Sequence, residues 1–287
     1  MSLVSLAELL NDAKQKKYGV FATNAFSFEM AEIIITAAEE KKSPVILMIA
    51  EDLFGFLDPG RIAPALIPVL EKAKVPVAFH LDHGMDLEIV IKSMSSGFNS
   101  IMYDGSRHSL TQNIQIMKKL RRLSDPLGLS IEGEVGSVGG LESGEQDIEK
   151  QYIDASKYTK IEDAVEFTNE TGVDALAIAV GTIHGKFRLK PDIDFNRIKE
   201  INDAVDAPLV LHGSSGLSDE DFKKAISCGI TKINYFTNLV TVASKKTRET
   251  VCNKKGFSYL TLNKIVMGSV KDKIQEKMDI FGSTGKA

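Results

Sequence analysis

Val75-Pro76-Val77-Ala78-Phe79-His80-Leu81-Asp82-His83-Gly84 is the stretch on which the reading of this chain turns. Its first half is apolar and suits a strand. The segment after it carries Leu87, Val90, Ile91 and Met94 at helical spacing and is closed by Gly97. Strand, abrupt turn and helix make a βα unit, which sets an Asp and a His side by side where the strand ends. A carboxylate next to an imidazole suits proton transfer or metal ligation.

The same unit recurs along nearly the whole chain. Strands are expected near Gly19–Asn24, Val45–Ala50, Val77–Asp82, Ser100–Asp104, Ser130–Glu134, Ala175–Val180, Leu209–His212 and Lys232–Tyr235. Helical patterns lie between them. Glu29–Lys41 carries Ile33, Ile34 and Ala37 on one face. Thr159-Lys160-Ile161-Glu162 reads as a cap ahead of Ala164, Val165 and Phe167, with a stop at Gly172. Ser218 caps a segment with Phe222, Ala225 and Ile226 that ends at Gly229. Ser5-Leu6-Ala7-Glu8 reads as a capping box, with Leu6, Leu9, Leu10 and Ala13 along one face. Eight strands each followed by a helix favour an α/β fold of the closed (β/α)8 TIM-barrel kind over an open doubly wound sheet. No linker interrupts the pattern, so a single barrel domain over 1–287 is expected.

Composition narrows the partners. The chain is 43% hydrophobic and 26% charged, with a formal net charge of -4. The pairs Lys245-Lys246 and Lys254-Lys255 are too short to make a basic block, which argues against nucleic acid. Cys228 and Cys252 are too few for a disulfide framework and suit a reducing compartment. No signal pattern opens the chain, and runs such as Val45 to Ala50 are too short to span a bilayer. A cytoplasmic protein without a membrane partner is the expectation.

In a parallel barrel the C-terminal strand ends converge on one mouth, where the active site lies. His83, His184 and His212 sit at or just after the third, sixth and seventh predicted strands. Three imidazoles meet the ligand count of a catalytic zinc site with one open position. His80 is expected to point the other way or into the barrel wall, and His108 to lie in a loop. The carboxylates Asp82, Asp104 and Glu134 also end strands. Buried together they need compensation, and they would orient the histidines, hold an alternative metal position or shuttle protons. Gly213-Ser214-Ser215-Gly216 and Asn234-Tyr235-Phe236-Thr237 follow the last two strands, where this fold often binds phosphate through backbone N–H groups. From Gly136 to about Tyr158 a polar, Gly-rich stretch follows the fifth strand and reads as a lid or binding loop.

These residues resemble the class II, metal-dependent ketose-bisphosphate aldolases, the fructose- and tagatose-bisphosphate group. The resemblance covers nearly the whole chain. It rests on Asp82-His83-Gly84, Met102-Tyr103-Asp104-Gly105-Ser106, Glu132-Gly133-Glu134-Val135-Gly136 with Gly139-Gly140, Gly181-Thr182-Ile183-His184-Gly185, Leu211-His212-Gly213-Ser214-Ser215-Gly216 and Lys232-Ile233-Asn234. It implies a zinc-dependent lyase cleaving a phosphorylated ketose to dihydroxyacetone phosphate and an aldehyde. By resemblance, His83, His184 and His212 hold Zn2+, with Asp104 and Glu134 near a second or alternative ion. Asp82 would exchange a proton with the aldehyde oxygen. Glu142 would handle the proton on the dihydroxyacetone phosphate carbon. Gly185, Gly213, Ser214, Ser215, Asn234 and Thr237 match positions around the triose phosphate. A monovalent cation, Na+ or K+, near that phosphate and a homo-oligomer, dimer or tetramer, are further family expectations.

The sequence departs from the family at Ser27, where Asn is usual, at Met48-Ile49-Ala50, where a polar stretch is common, and at Phe236, where many members carry Asp or Ala. These departures bear on the sugar and not on the metal chemistry. They suggest as an alternative a non-catalytic or atypical sugar-phosphate-binding relative. A metal-dependent hydrolase would often carry His-x-His after the first strand, which Asn24-Ala25-Phe26 lacks. A Schiff-base aldolase would use Lys232, which opens a strand instead of ending one. The stretch Val270–Phe281, with Ile274, Met278 and Phe281 on one side, is expected to cap the barrel or to pack on a neighbour.

Overall fold

The structure, a computed structural model, describes residues 2–55, 58–139, 155–185, 191–253 and 256–287. Eight strands close in chain order into one parallel barrel. They are β1 (Val20–Asn24), β2 (Val45–Ala50), β3 (Val77–Gly84), β4 (Ser100–Tyr103), β5 (Ser130–Val135), β6 (Ala175–Ile178), β7 (Leu209–Leu211) and β8 (Ile230–Asn234). Every expected strand is present, and β1 pairs with β8 through Ala22↔Asn234 to complete the closure. Helices α1 (Leu6–Lys16), α2 (Phe28–Lys41), α3 (Pro59–Leu70), α4 (Leu87–Ser95), α5 (Leu110–Ser124), α6 (Ile161–Thr171), α7 (Phe195–Ala204), α8 (Asp219–Ser227), α9 (Thr237–Asn253) and α10 (Tyr259–Phe281) complete the described elements.

Strand alternation divides the core in two. Phe21, Leu47, Phe79, Ile101, Ile131, Leu176, Leu209 and Ile233 face outward into the helix ring. Val20, Ala22, Ile46, Met48, Ala78, Met102, Ala175, Ala177 and Val210 form a separate cluster inside the barrel. Helix α1 closes that cluster from below, inserting Leu6, Leu9, Leu10 and Ala13. Ser5 Oγ caps it by accepting from Glu8 N at 3.1 Å, which is the serine half of the expected capping box.

Two local expectations are corrected or completed. Thr159 does not cap α6, whose N-terminal flanking residue is Lys160 with no side-chain cap. Its hydroxyl instead donates to Val135 O and accepts from Ala179 N, joining the ends of β5 and β6. In α10, Val270, Ile274, Met278 and Phe281 are buried in this chain's own core, where Phe281 stacks on Phe21 at 6.0 Å. That stretch therefore belongs to the helix ring. Among the described residues, no helix is long and apolar enough to cross a membrane.

Candidate active site

The left-handed backbone of His83 builds the site. Along β3, Ala78, His80 and Asp82 alternate toward the barrel interior, so simple pleating would turn His83 outward. A φ of 47° at His83 and a register shift against β4 between Leu81 and Gly84 turn its ring back into the mouth. Left-handed backbone at a residue with a side chain is uncommon and concentrates at functional sites. Gly84 follows because a Cβ there would meet Met102 O at 2.7 Å and Val90 Cγ2 at 2.5 Å.

His83, His184 and His212 converge. Their rings pack edge to face, with centroids 4.7 Å apart for His83–His184 and 4.5 Å for His83–His212. One nitrogen from each lies within 4.8 Å of the others. His83 Nε2 and His212 Nδ1 face each other at 2.6 Å. Each ring is backed by a carboxylate through its other nitrogen. Asp104 Oδ2 lies 3.1 Å from His83 Nδ1, and Glu132 Oε1 lies 2.9 Å from His212 Nε2. A carboxylate behind an imidazole fixes the tautomer and frees the opposite lone pair for a metal. His83, Asp104 and Glu134 form a second, overlapping group of donors. Three nitrogen donors, two of them with carboxylate backing, fit a zinc-like ion.

Electrostatics follow from crowding in a dry site. Burial opposes charge on His83, but Asp82, Asp104 and Glu134 outweigh it and raise its pKa to about 10. Burial, then the charges of His83 and Lys232, hold His212 well below its ordinary value. Asp104 resists burial through His83 and Ser106, which keep its carboxyl well below the usual range. Glu134 has no such partner on Oε2, and burial followed by the charge of Asp104 pushes it up to about 8. Two carboxylates in one pocket are thus driven apart.

Asp82 stands beside the triad, fully buried. Asn24 Nδ2 donates to its Oδ2 at 2.8 Å and Asn234 Nδ2 to its Oδ1 at 2.9 Å. Burial raises its pKa, but the charges of His83, Lys232 and His212 and the Asn24 bond outweigh that and hold it ionised.

The roles of four residues at and beneath the mouth, Glu132, Lys232, His80 and Asn24, escape the sequence reading. Glu132 is completely buried and also accepts from Lys232 Nζ at 2.7 Å through Oε2. Lys232, equally buried, is committed to that ion pair and lies 3.4 Å from His80 Nε2. It has no path to a substrate carbonyl, which removes the Schiff-base alternative. His80 faces the barrel interior one layer below Asp82, bound to Ser100 Oγ at 2.8 Å. Asn24, bound to Asp82, is the fourth. Period-two alternation carries the signal for all of them: Glu132 shares a face with Glu134, and His80 shares one with Asp82.

The residues expected around the phosphate lie after β6, β7 and β8. Thr237 opens α9, and Gly213 takes φ +61° with the Ile183 carbonyl carbon 2.4 Å from where a Cβ would stand. Ser214 Oγ donates to Asn234 O, which ties the two loops together. Gly185 and Ser215 lie in the same loop ends. Glu142 lies outside the described residues, as do Gly140 and most of the Gly136–Tyr158 stretch. The positions that depart from the family pattern take the following places. Ser27 caps α2 by accepting from Met30 N at 3.2 Å, and Ala50 is fully buried. Phe236 is buried in the outer core with Phe26 at 6.2 Å.

A (β/α)8 barrel with a metal-type donor set and a buried carboxylate at its mouth defines a class of metal-site barrel enzymes. Comparison with known proteins gives the family. Residues 4–286 match the family described as Fructose-bisphosphate aldolase class-II, and the chain belongs to it. It is an aldolase, a lyase acting on carbon–carbon bonds. It is 38% identical over 277 residues to YdjI of Escherichia coli K12, covering 96% of each chain. The solved structure of the YdjI aldolase superposes with a TM-score of 0.88, covering 99% of each chain at 36% identity. It is 35% identical to the 6-phospho-5-dehydro-2-deoxy-D-gluconate aldolase of Shouchella clausii, covering 100% of this chain and 97% of that one. It is 36% identical to the sulfofructosephosphate aldolase of Alkalicoccus urumqiensis, covering 100% and 99%.

Proposed function

We propose that this aldolase reversibly cleaves a phosphorylated ketose, of the fructose- or tagatose-1,6-bisphosphate kind, to dihydroxyacetone phosphate and an aldehyde. His83, His184 and His212 would hold a zinc ion for that reaction. The observation that carries the reading is the convergence of three imidazoles beside the buried, ionised Asp82. A zinc ion bound there supplies a Lewis acid for the ketose carbonyl and offsets the charge of the enediolate. Asp82 takes the C4 hydroxyl proton as the C3–C4 bond breaks, and the electron pair stays on the triose phosphate half. Asn24 and Asn234 hold one oxygen each, so the carboxylate meets the hydroxyl in a fixed orientation. Glu142 is the acid assigned to the C3 proton of the triose phosphate. Asp104 fixes His83, and Asp104 and Glu134 would offer a second ion position. Gly185, Gly213, Ser214, Ser215, Asn234 and Thr237 receive the triose phosphate from the loops after β6 to β8.

The relatives' names bear on the sugar. A gluconate phosphate, a sulfofructose phosphate and a fructose bisphosphate each join a phosphate to a second anionic group. A coupled assay for dihydroxyacetone phosphate over a panel of such ketoses, with chelator and then zinc, tests the reading. Turnover abolished by chelator and restored by zinc is the expected result. Asp82→Ala should lose a factor of about 10² to 10⁴ in kcat while binding zinc normally. Retained cleavage in that variant would remove Asp82 from its role.

A further inference from the structure

The triose phosphate loops occupy one side of the barrel mouth, after β6, β7 and β8. A cavity of about 380 Å3 opens on the other side. It runs from His83, Asp104 and His184 to Ser106, Arg107, Ser137 and Lys157. Arg107 and Lys157 are exposed, and neither side chain makes an ion pair or hydrogen bond to another described residue. Two free cations at the edge of a catalytic cavity, in a chain with a net charge of -4, need a reason.

Their backbones are tied to the metal-side carboxylates. Arg107 sits in the turn after β4, where Asp104 Oδ1 accepts from Ser106 N at 3.0 Å and Gly105 O accepts from His108 N at 2.9 Å. His108 Nε2 is also bound to Tyr103 OH at 3.0 Å, which pins the far side of the turn. Lys157 closes the short helical turn Ala155–Lys157, and its carbonyl accepts from Ser137 N at 3.1 Å. The same segment is fastened to the site by Val138 N donating to Glu134 Oε1 at 3.1 Å. The backbones of Arg107 and Lys157 are therefore fixed relative to the donor group, and both residues line the cavity from there. Asp52, which pairs with no other described residue, also lines the cavity, and a carboxylate there suits a sugar hydroxyl.

We infer that Arg107 and Lys157 form the subsite for a terminal anionic group on the aldehyde half of the substrate. This rests on the aldolase reading above. The substrate then lies across the mouth with its triose phosphate at the β7–β8 loops and its second anion at the β4–β5 side. Phosphate, sulfonate and carboxylate share the chemistry that a guanidinium and an ammonium recognise.

The test runs the zinc-loaded enzyme in the condensation direction. Dihydroxyacetone phosphate is offered with a neutral aldehyde and with matched aldehydes ended by phosphate, sulfonate or carboxylate. Wild type should favour a charged aldehyde in kcat/KM by roughly ten- to hundredfold, the range of a charge-assisted hydrogen bond. Arg107→Gln and Lys157→Gln should each lose most of that preference through KM, with the neutral aldehyde unaffected. The terminal group most affected identifies the anion. Deuterium exchange into dihydroxyacetone phosphate alone, which needs no aldehyde, separates the two levels of the argument. Normal exchange with equal turnover of neutral and charged aldehydes, or equal losses on both in the variants, overturns the subsite alone. No exchange and no turnover overturn the aldolase reading and the subsite with it.

Discussion

At the scale of single residues, Glu132 decides what His212 can do. It receives His212 Nε2 on one oxygen and Lys232 on the other, all three without solvent contact. A buried ion pair contributes little net stability, because the charges lose their water. Its value here is orientation: it aims the His212 Nδ1 lone pair at His83. Glu132→Gln should lower zinc affinity about 10- to 100-fold, the usual effect of losing a ligand's outer partner. It should also destabilise the fold by about 3–5 kcal/mol, since Lys232 is left charged and alone. Adding Lys232→Met should restore the stability but not the affinity. A competition titration with a zinc chelator and a urea melt on both variants separate the effects. If the double variant also regains zinc affinity, the orienting role fails. The three histidines are legible in the sequence because each lies at or after the C-terminal end of a strand. Glu132 is not, because its role depends on which face of β5 it takes and on what the seventh and eighth strands bring beneath it.

At the scale of elements, the strands are legible because a parallel barrel buries both faces and leaves continuous apolar runs. The ends of elements are less so. Thr159 has the spacing of a cap, yet its hydroxyl goes to the two strands it joins. A local signal yields there to a tertiary partner the sequence does not display. The role of α1 is hidden in the same way. Its amphipathic face is plain in the sequence, but not that the face plugs the barrel floor. Leu10, fully buried in that plug, gives a prediction confined to stability. Leu10→Ala should cost about 2–5 kcal/mol in a urea melt, the range for a buried Leu truncation. Because the floor lies at the opposite end from the donor group, kcat well below the melting temperature should stay within twofold of wild type. A large fall in kcat there would mean that floor and mouth are coupled through the barrel interior.

At the scale of the whole molecule, the same crowding that assembles the donor group ties folding to pH and to metal. Consider the metal-free protein above pH 6.5. His80 and His212, whose folded pKa values are lowered, are neutral in the fold, and their opposing contribution fades as the unfolded chain loses its histidine protons just above pH 6.5. Asp82 and Asp104, also lowered, are ionised in both states. Glu134, raised to about 8, and His83, raised to about 10, still hold protons in the fold that the unfolded chain has released. The folded state then binds more protons than the unfolded one, so stability must fall as pH rises, up to about 1.4 kcal/mol per pH unit for each such proton. Glu134 contributes to that slope until about pH 8, and His83 continues it to about pH 10. A bound metal ion reverses the trend, because it takes the His83 nitrogen that the proton occupies and binds more tightly as the proton leaves. Melting temperatures of chelator-stripped protein should therefore decline from pH 6.5 to 9, while the stabilisation by added zinc grows over the same range. Zinc uptake near pH 7.5 should release protons, measurable in weakly buffered solution. A stripped protein whose melting temperature is flat or rises across that window would show that His83 and Glu134 do not carry those protons, and that the charge balance drawn for the mouth is wrong.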